Sequence, residues 1–377
     1  MPLPDPTGPH RVGVIEADVP ARTDAGCVPV VVYYPAIDEP DAPPSTALCG
    51  ATSSEPEQLR WLDARYAAAL GKSHLTGTLG AWSAGALMGN LGPAATNYEV
   101  VRAAVGADAK PPPAGGWPVA VFSHSLTGWR HVNSSLCAEL ASHGAVVIHM
   151  EHADGTACLC TSSEDGRVLA EYVDWAREKT DELKRTTDDV GAALEAWRRA
   201  QVNQRVVEIA AALDGAEKIV GVSTRTSSNV AVLGQSFGGA AAVACCARDA
   251  RFSHCCIYDP WLDGVGPHRH PLPDEDYRGK FPPALKKLAL WSCGASPLQE
   301  SCGANWDAIM AKAGTVAIRH HEEKAGHFAQ TDAPVVFEKG PLSPIYSALV
   351  SKADQSSDSE ALLKKYLEQT VAELNLR

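Results

Sequence analysis

A serine in a glycine-flanked turn is the residue whose surroundings most clearly predict chemistry. Gly234-Gln235-Ser236-Phe237-Gly238 follows an apolar run and precedes a run of alanines. A strand, a tight turn and the start of a helix form the context in which Gly-x-Ser-x-Gly carries a nucleophile. Such a turn strains the backbone at the serine, and glycines on both sides leave room for the neighbouring elements. We therefore expect Ser236 to be a nucleophile and the Phe237 amide to be an oxyanion donor.

The two partners that a serine nucleophile needs lie downstream. A serine hydroxyl requires a base to take its proton, and a carboxylate best holds that base. Asp259 ends the next apolar run, where Pro260 discourages further strand pairing. His327 follows the last predicted strand, after Gly326, which permits a turned backbone. The order Ser236, Asp259, His327 is that of the α/β-hydrolases, so it predicts Asp259 as the acid and His327 as the base.

Other residues compete for these roles. His320 and His321 lie nearer the predicted strand and are alternative bases, although strand histidines are more often packed or solvated. Asp263 is an alternative acid. His124 and His152 end predicted strands on the same rim, where they either shape a pocket or hydrogen-bond to loop backbone as structural residues.

The second oxyanion donor is expected in the loop after an earlier strand. Residues 118–124 read as a buried strand, and the loop His124-Ser125-Leu126-Thr127-Gly128 follows it. A loop in this position ordinarily supplies the second N–H, so the Leu126 amide is the candidate donor.

The spacing of the cysteines does not predict a metal site. Eleven cysteines include Cys158, Cys160, Cys293 and Cys302, but no C-x2-C pair recurs at zinc spacing with partner histidines. Buried thiols are the expected state of cysteines inside apolar runs. We predict neither a metal nor a cofactor.

The elements that must position these residues alternate between strand and helix. Such alternation predicts a mostly parallel sheet with helices on both faces, so that strand ends collect on one rim. Leu79 to Leu91 is Gly/Ala-rich and reads either as a packed core or cap segment or as a lipid-facing or acyl-pocket wall. The predicted strands are Arg11–Val19 and Cys27–Tyr34 as an antiparallel edge pair, Pro118–His124, Ala145–Met150, the run from Val230, His254–Asp259, Lys287–Ser292 and Thr315–Arg319; helices are predicted at His131–Ser142 and Glu360–Leu376.

Composition excludes some partners. The 377 residues carry a net charge of -12, which argues against nucleic acid because that partner needs a basic face. No apolar run reaches the ~20 residues that cross a bilayer, and Met1 to Val19 contains Pro, Asp and Glu in place of a signal core. We expect a cytoplasmic protein with a small-molecule or lipid ester as substrate and scope for peripheral membrane contact. The sequence does not indicate an oligomeric state.

With these residues in view, the chain resembles the platelet-activating factor acetylhydrolases of the plasma and intracellular type II group. The resemblance implies an α/β-hydrolase fold. We expect residues 1–377 to form one domain because the sequence has no repeat, long low-complexity segment or clear linker, and we expect Ser163–Leu213, which is charged with apolar stripes, to be a helical insertion or cap. The resemblance implies the same five roles for Ser236, Asp259, His327, Leu126 and Phe237, in a calcium-independent esterase that removes short or oxidised sn-2 acyl groups from glycerophospholipids. The matching pieces are Thr7–His10, Val12-Gly13, Tyr33–Pro35, Val121–His124, Leu140–Gly144, Glu151-His152 with Asp154, Gln201–Arg205, Gly234–Ala240, Asp259 with Trp261, and His327 with Asp332.

The sequence departs from the family pattern in three places. Ser125 and Thr127 replace both glycines of the family's His-Gly-Leu-Gly loop, which narrows that loop's backbone freedom. Gln235 replaces the usual histidine before the serine. Ala153 and Gly155 replace basic residues after Glu-His, so headgroup contacts are expected to differ. Two alternatives remain open: a general carboxylesterase or cutinase-like hydrolase of other esters, and a binding protein that keeps the fold without turnover.

Overall fold

The computed structural model describes residues 3–37, 60–74, 104–105, 109–221, 229–262, 281–338 and 358–376. The strands are β1 Val12–Pro20, β2 Cys27–Pro35, β3 Ala104–Val105, β4 Val119–Ser123, β5 Val146–Met150, β6 Leu159–Thr161, β7 Val168–Glu171, β8 Val230–Gln235, β9 His254–Tyr258, β10 Lys287–Cys293 and β11 Ala317–Glu322. The helices are α1 Ala64–His74, α2 Ser134–Ser142, α3 Thr180–Leu183, α4 Val190–Val220, α5 Phe237–Arg248, α6 Leu298–Ala313, α7 Ala333–Glu338 and α8 Ser359–Glu373, with a π-helical turn at Trp175–Lys179 and a 3-10 turn at Gly314–Val316.

Within these residues one nine-stranded sheet organises the chain, in the order β11-β10-β9-β8-β4-β5-β2-β1-β3. The run from β11 to β5 is parallel throughout. β2 pairs antiparallel with both β5 and β1. The carboxyl ends of β4, β8 and β9 are therefore neighbours on one rim, as the sequence predicted.

Helices cover both faces of the sheet, which confirms the predicted fold class. Successive strand residues point to opposite faces, so β4 places Ala120 and Phe122 in one core and Val119 and Val121 in the other. The first core includes side chains of α1, α2, α7 and α8, and the second those of α4, α5 and α6. Because both faces are buried, the central strands read as continuous apolar runs rather than alternating ones.

The predicted edge hairpin is present. β1 and β2 pair antiparallel from Val12 opposite Pro35 to Pro20 opposite Cys27. Their turn closes with the Gly26 N–H donating to the Thr23 carbonyl at 2.9 Å, and Gly26 has a φ of 74°, which glycine adopts without strain. Among the described residues, only the two-residue β3 lies between this pair and the nearer edge of the sheet.

The segment from Ser163 to Leu213 is not helical throughout. It contains β7, which pairs antiparallel with β6 in a separate two-stranded sheet, and then most of α4. α4 begins after Asp189, whose side chain accepts from the Ala192 N–H, and packs on β1, β2, β4 and β5. The role of this segment as an insertion or cap, and the single domain, stay predictions; the Leu79 to Leu91 prediction lies outside the described residues.

None of the helices in the described part of the chain is both long enough and apolar enough to span a membrane.

Candidate active site

Ser236 occupies the strained turn that its motif predicts. It joins β8 to α5 with a φ of 55° and a ψ of -119°, a region in which a non-glycine residue costs about 1–3 kcal/mol. Its N–H donates to the Tyr258 carbonyl at 3.0 Å, and its carbonyl accepts from the Trp261 N–H at 2.9 Å. These bonds hold the serine backbone against the segment on either side of Asp259.

The two motif glycines are required by close backbone contacts. A Cβ on Gly238 would lie 2.1 Å from the Ser123 carbonyl oxygen at the end of β4. A Cβ on Gly234 would lie 2.1 Å from the Gly238 carbonyl oxygen. Only glycine permits strand, turn and helix to approach this closely.

Asp259 and His327 lie side by side. His327 Nδ1 and Asp259 Oδ2 are 2.6 Å apart, and Asp259 is fully buried whereas the His327 side chain is 14% exposed. Asp259 Oδ1 accepts from the Cys293 N–H at 3.0 Å, and Oδ2 also accepts from the Ser296 hydroxyl at 2.5 Å. A buried carboxylate with these partners can orient an imidazole and stabilise it when it becomes charged.

The His327 loop is fastened next to the serine. The His327 carbonyl accepts from the side-chain amides of Gln235 and Gln330, each at 3.0 Å. Gln235 is the residue before Ser236 and stands where the family has histidine. Its side chain therefore joins the serine turn to the backbone of the candidate base. Among the described residues no hydrogen bond links the Ser236 hydroxyl to the His327 ring; such bonds often tighten only when substrate is bound.

The candidate oxyanion amides are available. In the described part of the chain, neither the Leu126 nor the Phe237 N–H takes part in a loop, turn or side-chain hydrogen bond. Thr127, which follows Leu126, has a φ of 58° and donates its N–H to the Thr156 carbonyl at 2.7 Å. A β-branched residue in this left-handed region costs roughly 1–3 kcal/mol, and the lost family glycine would have avoided that cost.

The rival residues have other partners or lie outside the described chain. His320 Nε2 lies 2.9 Å from Glu373 Oε1, and its ring stacks on Trp291. His321 Nδ1 lies 2.9 Å from the Ser292 hydroxyl. The alternative acid Asp263 lies outside the described residues.

His124 and His152 bond to loop backbone and to buried side chains. His124 Nδ1 donates to the Ser125 carbonyl at 2.6 Å, and its Nε2 accepts from the His152 N–H at 3.1 Å. His152 lies between the Ser123 hydroxyl, 2.8 Å from Nε2, and Glu208 Oε2, 2.6 Å from Nδ1. Burial lowers the pKa of both histidines well below the usual value and raises the pKa of Glu208 to about 8, so the uncharged forms are favoured.

Ser123, His152 and Glu208 repeat the bonding order of a catalytic triad. All three are completely buried, however, so an ester cannot reach this serine. Ser236, by contrast, is 6% exposed at the rim. Exposure therefore favours Ser236 over Ser123 as the nucleophile. Ser123 instead takes part in the buried hydrogen bonds next to the candidate site.

A cluster of aromatic rings surrounds the buried Arg198 beside the site. The Arg198 guanidinium carbon lies 5.3 Å from the Phe237 ring centre and 5.4 Å from that of Trp261, with Trp175 at 5.6 Å. Burial lowers the pKa of Arg198 to about 10. Cation–π contacts of this kind fasten α4 to the segment that follows Asp259.

Sequence reasoning missed several residues that support the candidate site. Ser296 and Cys293 give no local signal, because a Gly-Ala-Ser turn and a strand-end cysteine are common. Arg205 was recognisable only as part of the family piece Gln201–Arg205, without a role. Cys158 and Cys160 are buried, which raises the pKa of both thiols well above the usual value and keeps them protonated.

Comparisons with known proteins agree with these observations. The family described as "Platelet-activating factor acetylhydrolase, isoform II" matches residues 2–227 and 222–271, a span that includes Ser236 and Asp259 and ends before His327. Platelet-activating factor acetylhydrolase of Cavia porcellus is 29% identical over 179 residues, 45% of this chain and 39% of that protein. The protein of the same name from Canis lupus familiaris is 30% identical over 195 residues, 46% of this chain and 43% of that protein.

The matched part of the chain thus spans less than half the length of these curated relatives. A solved structure supports the fold over the whole chain. The ferulic acid esterase from Streptomyces cinnamoneus superposes with a TM-score of 0.62 at 20% identity, covering 100% of this chain and 94% of that one. At this identity the likeness establishes the α/β-hydrolase fold.

Proposed function

The chain belongs to the platelet-activating factor acetylhydrolase isoform II family, and from this membership we propose that it is a serine-dependent carboxylic ester hydrolase. Ser236 is the nucleophile, His327 the base and Asp259 the acid. The observation that carries the proposal is the 2.6 Å contact between His327 Nδ1 and the buried Asp259 Oδ2, next to a left-handed Ser236.

The reaction follows from these roles. His327 Nε2 takes the Ser236 proton while Oγ attacks the ester carbonyl, and the carbonyl oxygen gains the negative charge. The Leu126 and Phe237 amides stabilise that oxyanion. Its collapse breaks the ester bond, and His327 returns the proton to the leaving alcohol. Water then attacks the acyl-serine by the same steps and releases the carboxylic acid, which restores Ser236.

The proposed substrate is a glycerophospholipid with a short or oxidised sn-2 acyl group. Family membership and the names of the relatives support this choice, and the site itself supports only an ester. Hydrolysis of other carboxylic esters is the alternative that an experiment must separate from it.

The decisive variant is Ser236→Ala. We expect kcat/KM to fall at least about a thousandfold on every hydrolysed ester, because no other described serine combines exposure with this turn. A matched control is Ser253→Ala. Ser253 is a buried serine before β9, at the opposite end of the sheet, and its hydroxyl donates to the Val230 carbonyl at 3.2 Å. Full ester hydrolysis by the Ser236 variant would end the proposal.

A substrate panel tests the finer choice. Purified protein should hydrolyse 2-acetyl phospholipid faster than long-chain phospholipid, and nitrophenyl esters of rising chain length give the non-phospholipid reference. Preference for the nitrophenyl esters alone would favour a general carboxylesterase. Absence of hydrolysis together with no labelling of Ser236 by a fluorophosphonate would favour a binding protein.

A further inference from the structure

A buried arginine contacts the loop that carries Leu126 directly, through His124, and indirectly, through Thr156. Arg205, on α4, is fully buried, and its Nε donates to Asp154 Oδ2 at 2.8 Å. Its Nη1 donates to the His124 carbonyl at 2.6 Å and to the Ser123 hydroxyl at 3.2 Å. Its Nη2 donates to the Thr156 hydroxyl. The rigid fork of a guanidinium can satisfy this many acceptors at once, whereas an ammonium cannot.

These contacts bracket the Leu126 amide. His124, two residues before Leu126, is held through its carbonyl by Arg205. Thr127, the residue after Leu126, is held through its N–H by the carbonyl of Thr156, whose side chain Arg205 also binds. The left-handed φ of Thr127 is unfavourable for a threonine, so it persists only because its surroundings impose it.

The same guanidinium lies against the residue that bears the other candidate donor. The Arg205 guanidinium carbon is 4.7 Å from the centre of the Phe237 ring, a cation–π contact. Arg205 therefore touches both walls that present an oxyanion amide, Leu126 from the β4 loop and Phe237 from α5.

We propose that Arg205, Asp154 and Thr156 form a clamp that positions both oxyanion donors, and that Thr127, where the family's loop has glycine, makes this loop depend more strongly on the clamp. Arg205 is a positioning residue: it acts through the Leu126 and Phe237 amides and does not touch the ester. The inference rests on the proposed ester hydrolysis at Ser236. It predicts that the clamp and Thr127 are energetically coupled, because the strained loop needs the clamp more than a glycine-containing loop would.

The clamp is connected to the buried hydrogen-bonded group of Ser123, His152 and Glu208. His152 lies within 2.8 Å of the same Ser123 hydroxyl that Arg205 binds. Glu208 lies one turn after Arg205 on α4 and contacts His152, so two side chains of one helix face join α4 to the residues that follow β4 and β5.

The test uses steady-state hydrolysis of a soluble nitrophenyl ester by the full chain. We expect Arg205→Lys to lower kcat by about 10–100-fold with KM changed less than about twofold, because misplaced donors weaken only transition-state binding. The inhibition constant of a trifluoromethyl ketone, which forms an oxyanion with the serine, should rise with the fall in kcat. Thr156→Val, which loses one Arg205 acceptor and keeps the Thr156 carbonyl, should show the same pattern with a smaller loss.

Coupling is measured by repeating Arg205→Lys in the Thr127→Gly background. There we expect the fall in kcat to be at least about fivefold smaller than in the unsubstituted loop, since glycine adopts a positive φ without support. Arg199→Met is the control, because this α4 arginine pairs with Glu195 on the same helix. It should leave kcat and KM unchanged.

Two results would overturn the clamp: a folded Arg205→Lys protein with unchanged kcat, or an equal loss in both loop backgrounds. If Arg205→Lys does not fold, the fall in kcat caused by Thr156→Val is compared between the unsubstituted loop and the Thr127→Gly loop. An unchanged kcat, or an equal loss in both loops, would again overturn the clamp. Failure of the proposed function is separately visible, because the unsubstituted chain would then hydrolyse no ester or would hydrolyse it equally well without Ser236.

Discussion

Asp259 shows how much of the candidate site depends on one carboxylate. Its Oδ2 accepts from the Ser296 hydroxyl and contacts His327 Nδ1, whereas Oδ1 accepts from the Cys293 N–H. Hydrogen bonds to a charged group contribute about 1.5–3 kcal/mol each, so loss of one partner should be felt. Ser296 is therefore expected to fix the carboxylate plane that orients the imidazole.

Removal of that hydroxyl is the residue-scale prediction. Ser296→Ala should lower kcat/KM by about tenfold or more and leave the fold intact, because Cys293 and His327 still contact Asp259. The control is Ser292→Ala, a nearby buried serine at the end of β10 that contacts His321 rather than Asp259. Equal kcat/KM values for the two variants, measured on one ester, would contradict this role of Ser296.

The sequence identified the proposed nucleophile, acid and base because each follows a recognisable strand, in an informative order. The structure brings Asp259 and His327 into contact across 68 positions of chain. Ser296 and Arg205 could not be assigned from the sequence, because their roles depend on partners 37 and 81 positions away, Asp259 and His124.

Among the elements, the junction of β8 and α5 leaves no space for a side chain at Gly238. Gly238 faces the backbone of β4, which is a strand rather than a flexible side chain, so an added methyl group has no space to enter. Either the helix or the strand would have to move; the helix carries the candidate donor Phe237, and the loop that follows the strand carries Leu126.

Gly238→Ala is the prediction at this scale. It should destabilise the protein by about 2 kcal/mol or more and abolish most ester hydrolysis, measured by urea unfolding and kcat/KM. The control is Gly303→Ala in α6, where an added Cβ would come no closer than 3.9 Å to any neighbour. That variant should be more stable by up to about 1 kcal/mol, because alanine favours a helix interior. Matching unfolding curves for the two variants would disprove the steric argument.

Strand positions were predicted well where both faces are buried. The strand predicted at Ala145–Met150 is observed at Val146–Met150, and that at Lys287–Ser292 extends one residue further. β7 was missed because it is short and at best half-buried, and its apolar run of three residues, Val168 to Ala170, lies among charged residues. The pattern of apolar residues in a sequence indicates burial more directly than it indicates a strand, so an exposed strand is easily missed.

For the molecule as a whole, Asp332 joins three distant parts of the chain. This buried carboxylate follows the His327 loop and accepts from Trp61 Nε1 at 3.2 Å. It also accepts from the Ser134 hydroxyl at 2.6 Å and from the Ser135 N–H at the start of α2. Burial raises the pKa of Asp332 to about 6 despite these donors.

This shift predicts the pH dependence of stability. Because the folded carboxyl has a pKa of about 6 and an unfolded one about 3.9, the folded protein binds more protons between these values. The Asp332 contribution to the free energy of unfolding is therefore present at low pH and is lost as pH rises through about 6. Between pH 5 and 7 the loss amounts to about 1 kcal/mol.

Asp332→Asn should remove this contribution, so its free energy of unfolding should change between pH 5 and 7 by about 1 kcal/mol less in the falling direction than that of the unsubstituted protein, as measured by urea unfolding at the two pH values. Asp358→Asn, which alters the exposed aspartate that caps α8, should retain it. The same slope in all three proteins would show that Asp332 does not titrate in this range.

The fold class was predictable because alternating apolar and amphipathic segments leave few arrangements that bury both sheet faces. The hydrogen bonds between residues far apart in the sequence were not predictable, since nothing in the sequence distinguishes a carboxylate such as Asp332 from any other aspartate in a loop.

The backbone of Ser236 is bonded to Tyr258 and Trp261, and the Asp259 N–H donates to the Trp291 carbonyl at 2.7 Å. The proposed nucleophile and acid are thus held at the ends of three adjacent strands of one sheet, β8, β9 and β10. On heating, we expect the reactive groups to stay aligned until the sheet itself unfolds. Loss of activity and global unfolding should therefore occur in one cooperative transition.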